Sequence, residues 1–428
     1  MRRGGRACRR SRSGNRGRAS GHRPRAACFV HMVGSVATPA RRAEGKGMKI
    51  AVATHGRFHA FELAGCLQRA GFLVQLATTY PAFIARRFLL PGTPVVAAPW
   101  LEALRRAHAW TGIGSSPDFM IARAFGRFSA RRLPDADALV TWSSASVEAI
   151  GEAKRRGMTV VLERGSTHIV QQSEILRGGF ARWGLPWPET DARLVERELV
   201  EYDAADLIVT GSTFARESFL ARGFGAERIA VNPYGVDLVR FHPAPPSATR
   251  REKRVLFVGE VGVRKGVPWL LEAFARLPSD WTLHLVGPMA PGFRDVLARL
   301  PHERVVVRGV LSREVLAKAY READIFCLPS IEEGFGMVIL QAMASGLPVI
   351  ASRATGGPDA GGDGRELLIV PPGDSSALGA ALCRLAGDPD LRRALGAAAA
   401  TRVAAGFNWD DYGRRAIGIL RECLARKS

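Results

Sequence analysis

The sequence predicts an α/β protein made of two doubly wound, Rossmann-like parallel-sheet domains facing each other across a cleft. Three observations predict it. Short apolar runs alternate with longer amphipathic stretches along residues 48–428, which is how buried parallel strands joined by helices read. The alternation runs through twice, on either side of a seam at 232–246 that holds Pro233, Pro243, Pro245 and Pro246, as a linker would. A chain of 428 residues is also long enough for more than one core.

In the first half the apolar, β-branched runs place strands at Lys49–Thr54, Leu73–Ala77, Val95–Ala98, Ala138–Trp142, Thr159–Glu163 and Leu207–Thr210. Helical spacing falls between them, as at Ala60–Ala70 and Val147–Arg156. The second half places strands at Arg254–Val258, Thr282–Val286, Val305–Val307, Ile325–Leu328, Pro348–Ala351 and Leu367–Val370. Its helices are expected at Pro268–Arg276, Arg294–Leu300, Glu314–Glu322, Gly336–Ala344 and Ala377–Leu385. The organisation expected is a basic tail at 1–47, an N-terminal domain at 48–236 and a C-terminal domain at 237–410. A closing helix at 411–428 is expected to pack back on the N-terminal domain.

The formal charge of +21 misleads about the folded part. Residues 1–47 hold twelve arginines, one lysine and one glutamate, a net of +12 that leaves +9 for the rest. This Arg/Gly/Ser-rich tail has little to bury and reads as disordered. A nucleic-acid arm, a targeting peptide and an extension upstream of a true start at Met48 compete to explain it. The last is favoured, because KIAVAT follows Met48 at once as a first buried strand. No run of 18 apolar residues is present, so no transmembrane helix is expected. The six cysteines form no Cys-x-x-Cys pair and have no histidine at metal-ligand spacing. They read as reduced thiols of a cytoplasmic protein.

In open α/β sheets ligands bind beyond the carboxyl ends of the strands, so chemistry is expected in the loops there. After Ile325–Leu328 comes PSIEEGFGMVILQAM. A helix starting at Gly336 aims free backbone N–H groups and partial positive charge at the cleft, which suits a phosphate. Gly334 and Gly336 let the backbone approach a ligand, with Phe335 between them. Glu333 would repel a phosphate and is better read as an acceptor for sugar hydroxyls. Gln341, two turns on, offers an acceptor to a second set of hydroxyls. Taken alone, Glu333 could equally be a first-turn helix acid and Gln341 a solvated residue. The loop Gly259–Gly266 adds Arg264 and Lys265 beside glycines after another strand, fit to neutralise a diphosphate. It is neither a P-loop nor a dinucleotide fingerprint. Phosphate with two sets of hydroxyls describes a nucleotide sugar.

These residues resemble the retaining glycosyltransferases of family 4, which have the two-domain GT-B fold. The resemblance runs from Met48 to the C-terminus. It is carried by VLFVGEVGVRKGVPWLLEAF, ADIFCLPSIEEGFGMVILQAMASGLPVIAS and LLIVPPGD, with weaker support from ADLIVTGSTFARESF, PYGVD and FNWDDY. It implies transfer of a sugar from a nucleoside diphosphate sugar to an acceptor hydroxyl with retention, in cell-surface polysaccharide or glycolipid synthesis. It implies Glu333 on the donor sugar and Lys265 on the phosphates. Gly56 and Gly259 would approach the donor, and Val310 and Leu311 would pack on the base. Two positions depart from the family pattern. Gln341 stands where a second glutamate binds ribose, and Glu260 stands where the phosphate-binding arginine begins. Arg264 is taken to supply that missing charge. The family's catalytic histidine follows an N-terminal strand, and His168 is the nearest candidate, by analogy of position.

Neither a cofactor nor a metal is expected, since no Asp-x-Asp stands in a suitable loop. Expected partners are the nucleotide sugar and a sugar or lipid-linked acceptor. Ala82–Trp110 interleaves Phe83, Phe88, Trp100 and Trp110 with Arg86, Arg87, Arg105 and Arg106. That mixture suits peripheral contact with an anionic membrane at its inner face, and solvated arginines over ordinary packing are the plain alternative. Nucleic acid is not an expected partner. A sugar-nucleotide epimerase of the same fold, and a nucleic-acid-binding protein with a degenerate site, are the competing readings.

Overall fold

A computed structural model describes residues 47–111, 116–243 and 253–427. The expectations for the tail at 1–46, for Cys8 and Cys28, and for Pro245 and Pro246 lie outside the described residues.

The first sheet has seven parallel strands: β1 (Ile50–Thr54), β2 (Leu73–Thr78), β3 (Val95–Ala97), β4 (Ala138–Trp142), β5 (Thr159–Arg164), β6 (Leu207–Thr210) and β7 (Ile229–Val231). Their order is β3-β2-β1-β4-β5-β6-β7. The second has six: β8 (Lys253–Val258), β9 (Trp281–Val286), β10 (Val305–Gly309), β11 (Ile325–Leu328), β12 (Val349–Ser352) and β13 (Leu368–Val370), ordered β10-β9-β8-β11-β12-β13. All pairings are parallel, as Ile50↔Ala138 in the first sheet and Ile325↔Val255 in the second show. The two doubly wound sheets are those the sequence predicts. One strand was missed: β7 is three residues long, and IAV is too short to show a period.

Burial explains the apolar runs. Every residue of β1, β4, β5, β6, β11 and β12 is buried, because helices cover both faces of a parallel sheet. The helices turn amphipathic faces inward. Helix Ala60–Arg69 buries Phe61, Leu63, Ala64 and Leu67 and leaves Arg69 half in solvent.

In each sheet the strand order reverses once, between β1 and β4 and between β8 and β11. Those are the switch points at which a crevice opens beyond the carboxyl ends. The chain then returns. Val236 bridges to Asn408, whose side chain caps helix Trp409–Ala425 in a reciprocal capping box with Asp411. That helix packs on Ala60–Arg69. Gly413 allows the close approach, since a Cβ there would stand 2.5 Å from that of Cys66. Arg69 pairs with Asp410 at 2.7 Å, and Arg415 donates to Asn232 Oδ1 and the Pro233 carbonyl. Among the described residues no helix is long and apolar enough to cross a membrane.

Candidate active site

The loops after β1, β4 and β5 face those after β8 and β11 around a cleft of about 520 Å³, ordinary for a small-molecule site. His55, Phe58, His59, Trp142, Ser143, Ser144, Arg164, Gly165, Ser166, Gln172 and Tyr234 line one side. Gly259, Arg264, Lys265, Glu333, Phe335, Gly336, Met337 and Val338 line the other.

The second wall holds what the sequence singled out. Helix Met337–Ala344 begins beyond Gly336, which has φ 82° and no side-chain cap. Only glycine adopts that angle without strain. The first N–H groups are therefore left for a ligand. Phe335 is buried against Tyr234, their ring centroids 5.3 Å apart. Gly334 presses on the other half, where a Cβ would lie 1.9 Å from the Gly165 carbonyl oxygen. Ser212 Oγ donates to the Gly334 carbonyl at 2.5 Å. Lys265 Nζ pairs with Glu333. Burial pushes the Lys265 ammonium down to about 7, and Arg264 acts in the same direction against Glu332 and Glu260. Arg264 Nε donates to Glu332 at 2.9 Å. Gly56 is buried in the β1 loop, its carbonyl accepting from Thr54 Oγ1 at 3.0 Å.

Four expected site residues stand elsewhere. His168 is no part of the cleft wall. It caps helix Ile169–Arg182, with Nδ1 accepting from Val170 N at 3.3 Å. Its ring sits among Tyr202, Phe219 and Phe224, and burial lowers its pKa to about 4, helped by Arg222 and Arg164. It is a neutral core histidine, and a catalytic role for it is withdrawn. Gln341 faces the preceding helix, where its Oε1 accepts from the Tyr320 hydroxyl at 3.0 Å. Gln341 is not among the residues that line the cleft, where the expectation placed it. Val310, 75% exposed, and Leu311 follow β10, the edge strand, two strands from β8. They do not line the cleft.

The first wall was largely missed. Arg164, the last residue of β5, is buried there. Its Nε donates to the Thr167 carbonyl at 3.0 Å, Nη2 to Gln172 Oε1 at 3.0 Å, and Nη1 pairs with Glu198 at 2.9 Å. Ser144 has φ 82°, rare for a residue with a Cβ. Glu201 holds it there by accepting from Ser144 N and Ser146 N, both at 2.6 Å. Burial pushes the Glu201 carboxyl up to about 8, against those hydrogen bonds. His59 Nε2 lies 3.3 Å from Glu163 Oε2, with its ring 4.3 Å from that of Tyr234. His55 Nδ1 has no hydrogen-bond partner, and burial with Arg105 nearby lowers that histidine to about 4. The available signal was position alone, since each follows an apolar run.

Two doubly wound parallel sheets whose switch-point loops face each other across a cleft have the architecture of the GT-B class. The comparisons agree. Residues 252–388 match the family model described as Glycosyl transferases group 1. The chain is 29% identical over 325 residues to the MMP alpha-(1->4)-mannosyltransferase of Mycolicibacterium hassiacum, covering 67% of this chain and 78% of that one. It is 34% identical over 272 residues to the D-inositol 3-phosphate glycosyltransferase of Kineococcus radiotolerans, covering 55% of this chain and 61% of that one. Sucrose-phosphate synthase from Thermosynechococcus elongatus superposes with a TM-score of 0.62 at 22% identity, over 89% of this chain and 100% of that one. The Anabaena HepE protein in complex with UDP-glucose does so with a TM-score of 0.65 at 17% identity, over 88% and 100%. These structures share the fold. The protein is a glycosyltransferase, and its residues 252–388 match the Glycosyl transferases group 1 model.

Proposed function

We propose that the protein transfers a sugar from a nucleoside diphosphate sugar to an acceptor hydroxyl with retention, as a family 4 enzyme. One observation carries the reading. Arg264, Lys265 and the uncapped helix start at Gly336 line one wall of a cleft together with the carboxylate Glu333. The diphosphate lies against the cations and the helix start, which stabilise the charge that grows as the glycosidic bond breaks. Glu333 takes the sugar hydroxyls. The leaving phosphate oxygen receives the acceptor proton, so no protein base is required. No cofactor and no metal is called for, because the protein's own cations meet the phosphates.

The acceptor enters along Phe58, Trp142, Ser143 and Ser144, where aromatic faces and hydroxyls suit a sugar. One relative is named a D-inositol 3-phosphate glycosyltransferase and another an MMP alpha-(1->4)-mannosyltransferase, and HepE is bound to UDP-glucose. They support a nucleotide-linked hexose here, UDP-linked on the HepE likeness, for polysaccharide or glycolipid synthesis in the cytoplasm. Phe83, Trp100 and Trp110 stand 64%, 58% and 89% exposed, and Arg86 and Arg87 are exposed as well, which supports peripheral contact with an anionic leaflet.

The test is a thermal-shift screen of UDP-, GDP- and ADP-linked hexoses, followed by transfer assays with excess EDTA and NMR of the product anomer. A ligand at 100 times its Kd adds about 2.7 kcal/mol of stability. Retention without added metal is the expected result. Hydrolysis or epimerisation of donor alone, with no transfer to any acceptor, overturns the reading. For the membrane, vesicle sedimentation of the chain from Met48 should need anionic lipid and be lost in Arg86→Glu/Arg87→Glu. Binding to neutral and anionic vesicles alike counts against it.

A further inference from the structure

Glu332 stands next to Glu333 and is buried between the two halves of the cleft. Its Oε1 accepts from Ser166 Oγ at 2.6 Å, Thr167 Oγ1 at 2.9 Å and Thr167 N at 3.2 Å. All three belong to the turn after β5, on the opposite wall. Its Oε2 accepts from Gln172 Nε2 at 3.2 Å and from Arg264 Nε at 2.9 Å. Arg264 Nη2 also reaches Ser166 Oγ at 3.3 Å. Within the second wall, Ile331 N donates to the Arg264 carbonyl at 2.9 Å, which ties the loops after β8 and β11 together. On the first wall Gln172 is held by Arg164, and Arg164 by Glu198. One carboxylate thus joins an ion pair in the C-terminal half to a turn of the N-terminal half.

A buried carboxylate is costly unless its lone pairs are filled and its charge is met. Glu332 satisfies both conditions, and every partner that does so either lines the cleft or adjoins a residue that does. Arg264 is also the cation assigned above to the donor phosphates. While Glu332 holds it, its charge is partly cancelled, and an arriving diphosphate competes for it.

We propose that Glu332 is a positioning residue that serves as resident counter-ion of Arg264, restraining its charge until a diphosphate arrives, and clasps the Ser166–Thr167 turn, so that phosphate binding is tied to the apposition of the two walls. The proposal rests on the donor site described above. It separates two quantities that a merely structural residue would move together. Removing the charge frees Arg264 for phosphate, and the same change loosens the walls between which transfer occurs.

The test is Glu332→Gln, with UDP and GDP as probes by calorimetry and donor turnover measured in parallel. Glutamine keeps the shape but presents N–H where one carboxylate oxygen accepted, so it fails part of the donor set and loses the charge. The expected result is a Kd for the nucleoside diphosphate at least threefold lower, a KM for donor that falls with it, and a kcat at least tenfold lower. A kcat within threefold of wild type, or a Kd that is unchanged or raised, overturns the proposal. If Glu332→Gln does not fold, Glu332→Asp carries the test. It keeps the charge but withdraws the carboxylate by one methylene, and it should lower kcat at least tenfold with Kd within twofold. Unchanged kcat in that variant overturns the proposal as well. Should the wild type bind none of UDP, GDP and ADP at millimolar concentration, the donor reading itself fails, a result distinct from any behaviour of Glu332.

Discussion

Lys265→Met separates the catalytic share of the Lys265–Glu333 pair from its structural share. Both side chains are buried, 17% and 11% exposed. Removing one partner of a buried pair leaves an uncompensated charge and costs about 3–5 kcal/mol. Removing a charged donor from a developing anion costs about 2.7–4 kcal/mol of transition-state stabilisation, or roughly 10²–10³ in kcat. The single variant should therefore lose both. Lys265→Met/Glu333→Gln removes the stranded carboxylate and should recover at least half of the lost stability, yet turnover should stay at least a hundredfold down. Stability is read by urea titration of tryptophan fluorescence, from the eight tryptophans of the chain. Turnover uses the nucleotide sugar with the largest thermal shift. The assay belongs at about pH 6, below the value near 7 to which burial lowers Lys265, so that the ammonium carries its charge. Turnover of Lys265→Met within threefold of wild type would refute the phosphate role. A double variant as unstable as the single one would refute the stranded-charge account.

Three further outcomes are expected. Binding of UDP should weaken as pH rises from 6 to 8.5. Lys265 is lowered to about 7, so it is mostly protonated at the first pH and mostly neutral at the second; a flat calorimetric profile counts against it. Gly334→Ala places a Cβ 1.9 Å from the Gly165 carbonyl oxygen, a backbone atom that cannot swing aside, so the walls must part. It should cost about 1–3 kcal/mol, as overpacking does, and lower kcat at least tenfold; an unchanged urea midpoint and kcat would contradict the contact. Gln341→Glu should leave the UDP Kd within twofold, because position 341 faces Tyr320 and not the cleft; a tenfold change would return it to the site.

The apolar alternation that set out both sheets is a local property, which is why twelve of the thirteen strands and the helix start at Gly336 could be read from sequence. Composition around a glycine is local too, so Gly259, Arg264, Lys265, Glu333, Phe335 and Gly336 were legible as one wall. The opposite wall was not. Arg164, Ser144 and His59 act through Glu198, Glu201 and Glu163, which are 34, 57 and 104 residues away in the chain, and no local pattern records such pairings. His168 shows the limit from the other side. Its place four residues beyond β5 suggested chemistry, but the helix it caps turns the ring into an aromatic core. Glu333 was singled out from the sequence, whereas its neighbour Glu332 carried no signal of its own. The two neighbouring carboxylates meet different partners, Glu332 reaching Arg264 and the far wall and Glu333 reaching Lys265 in the cleft. The partners of Glu332 appeared only when the loops after β5, β8 and β11 were brought together, because Ser166, Thr167, Gln172 and Arg264 are supplied by the tertiary fold.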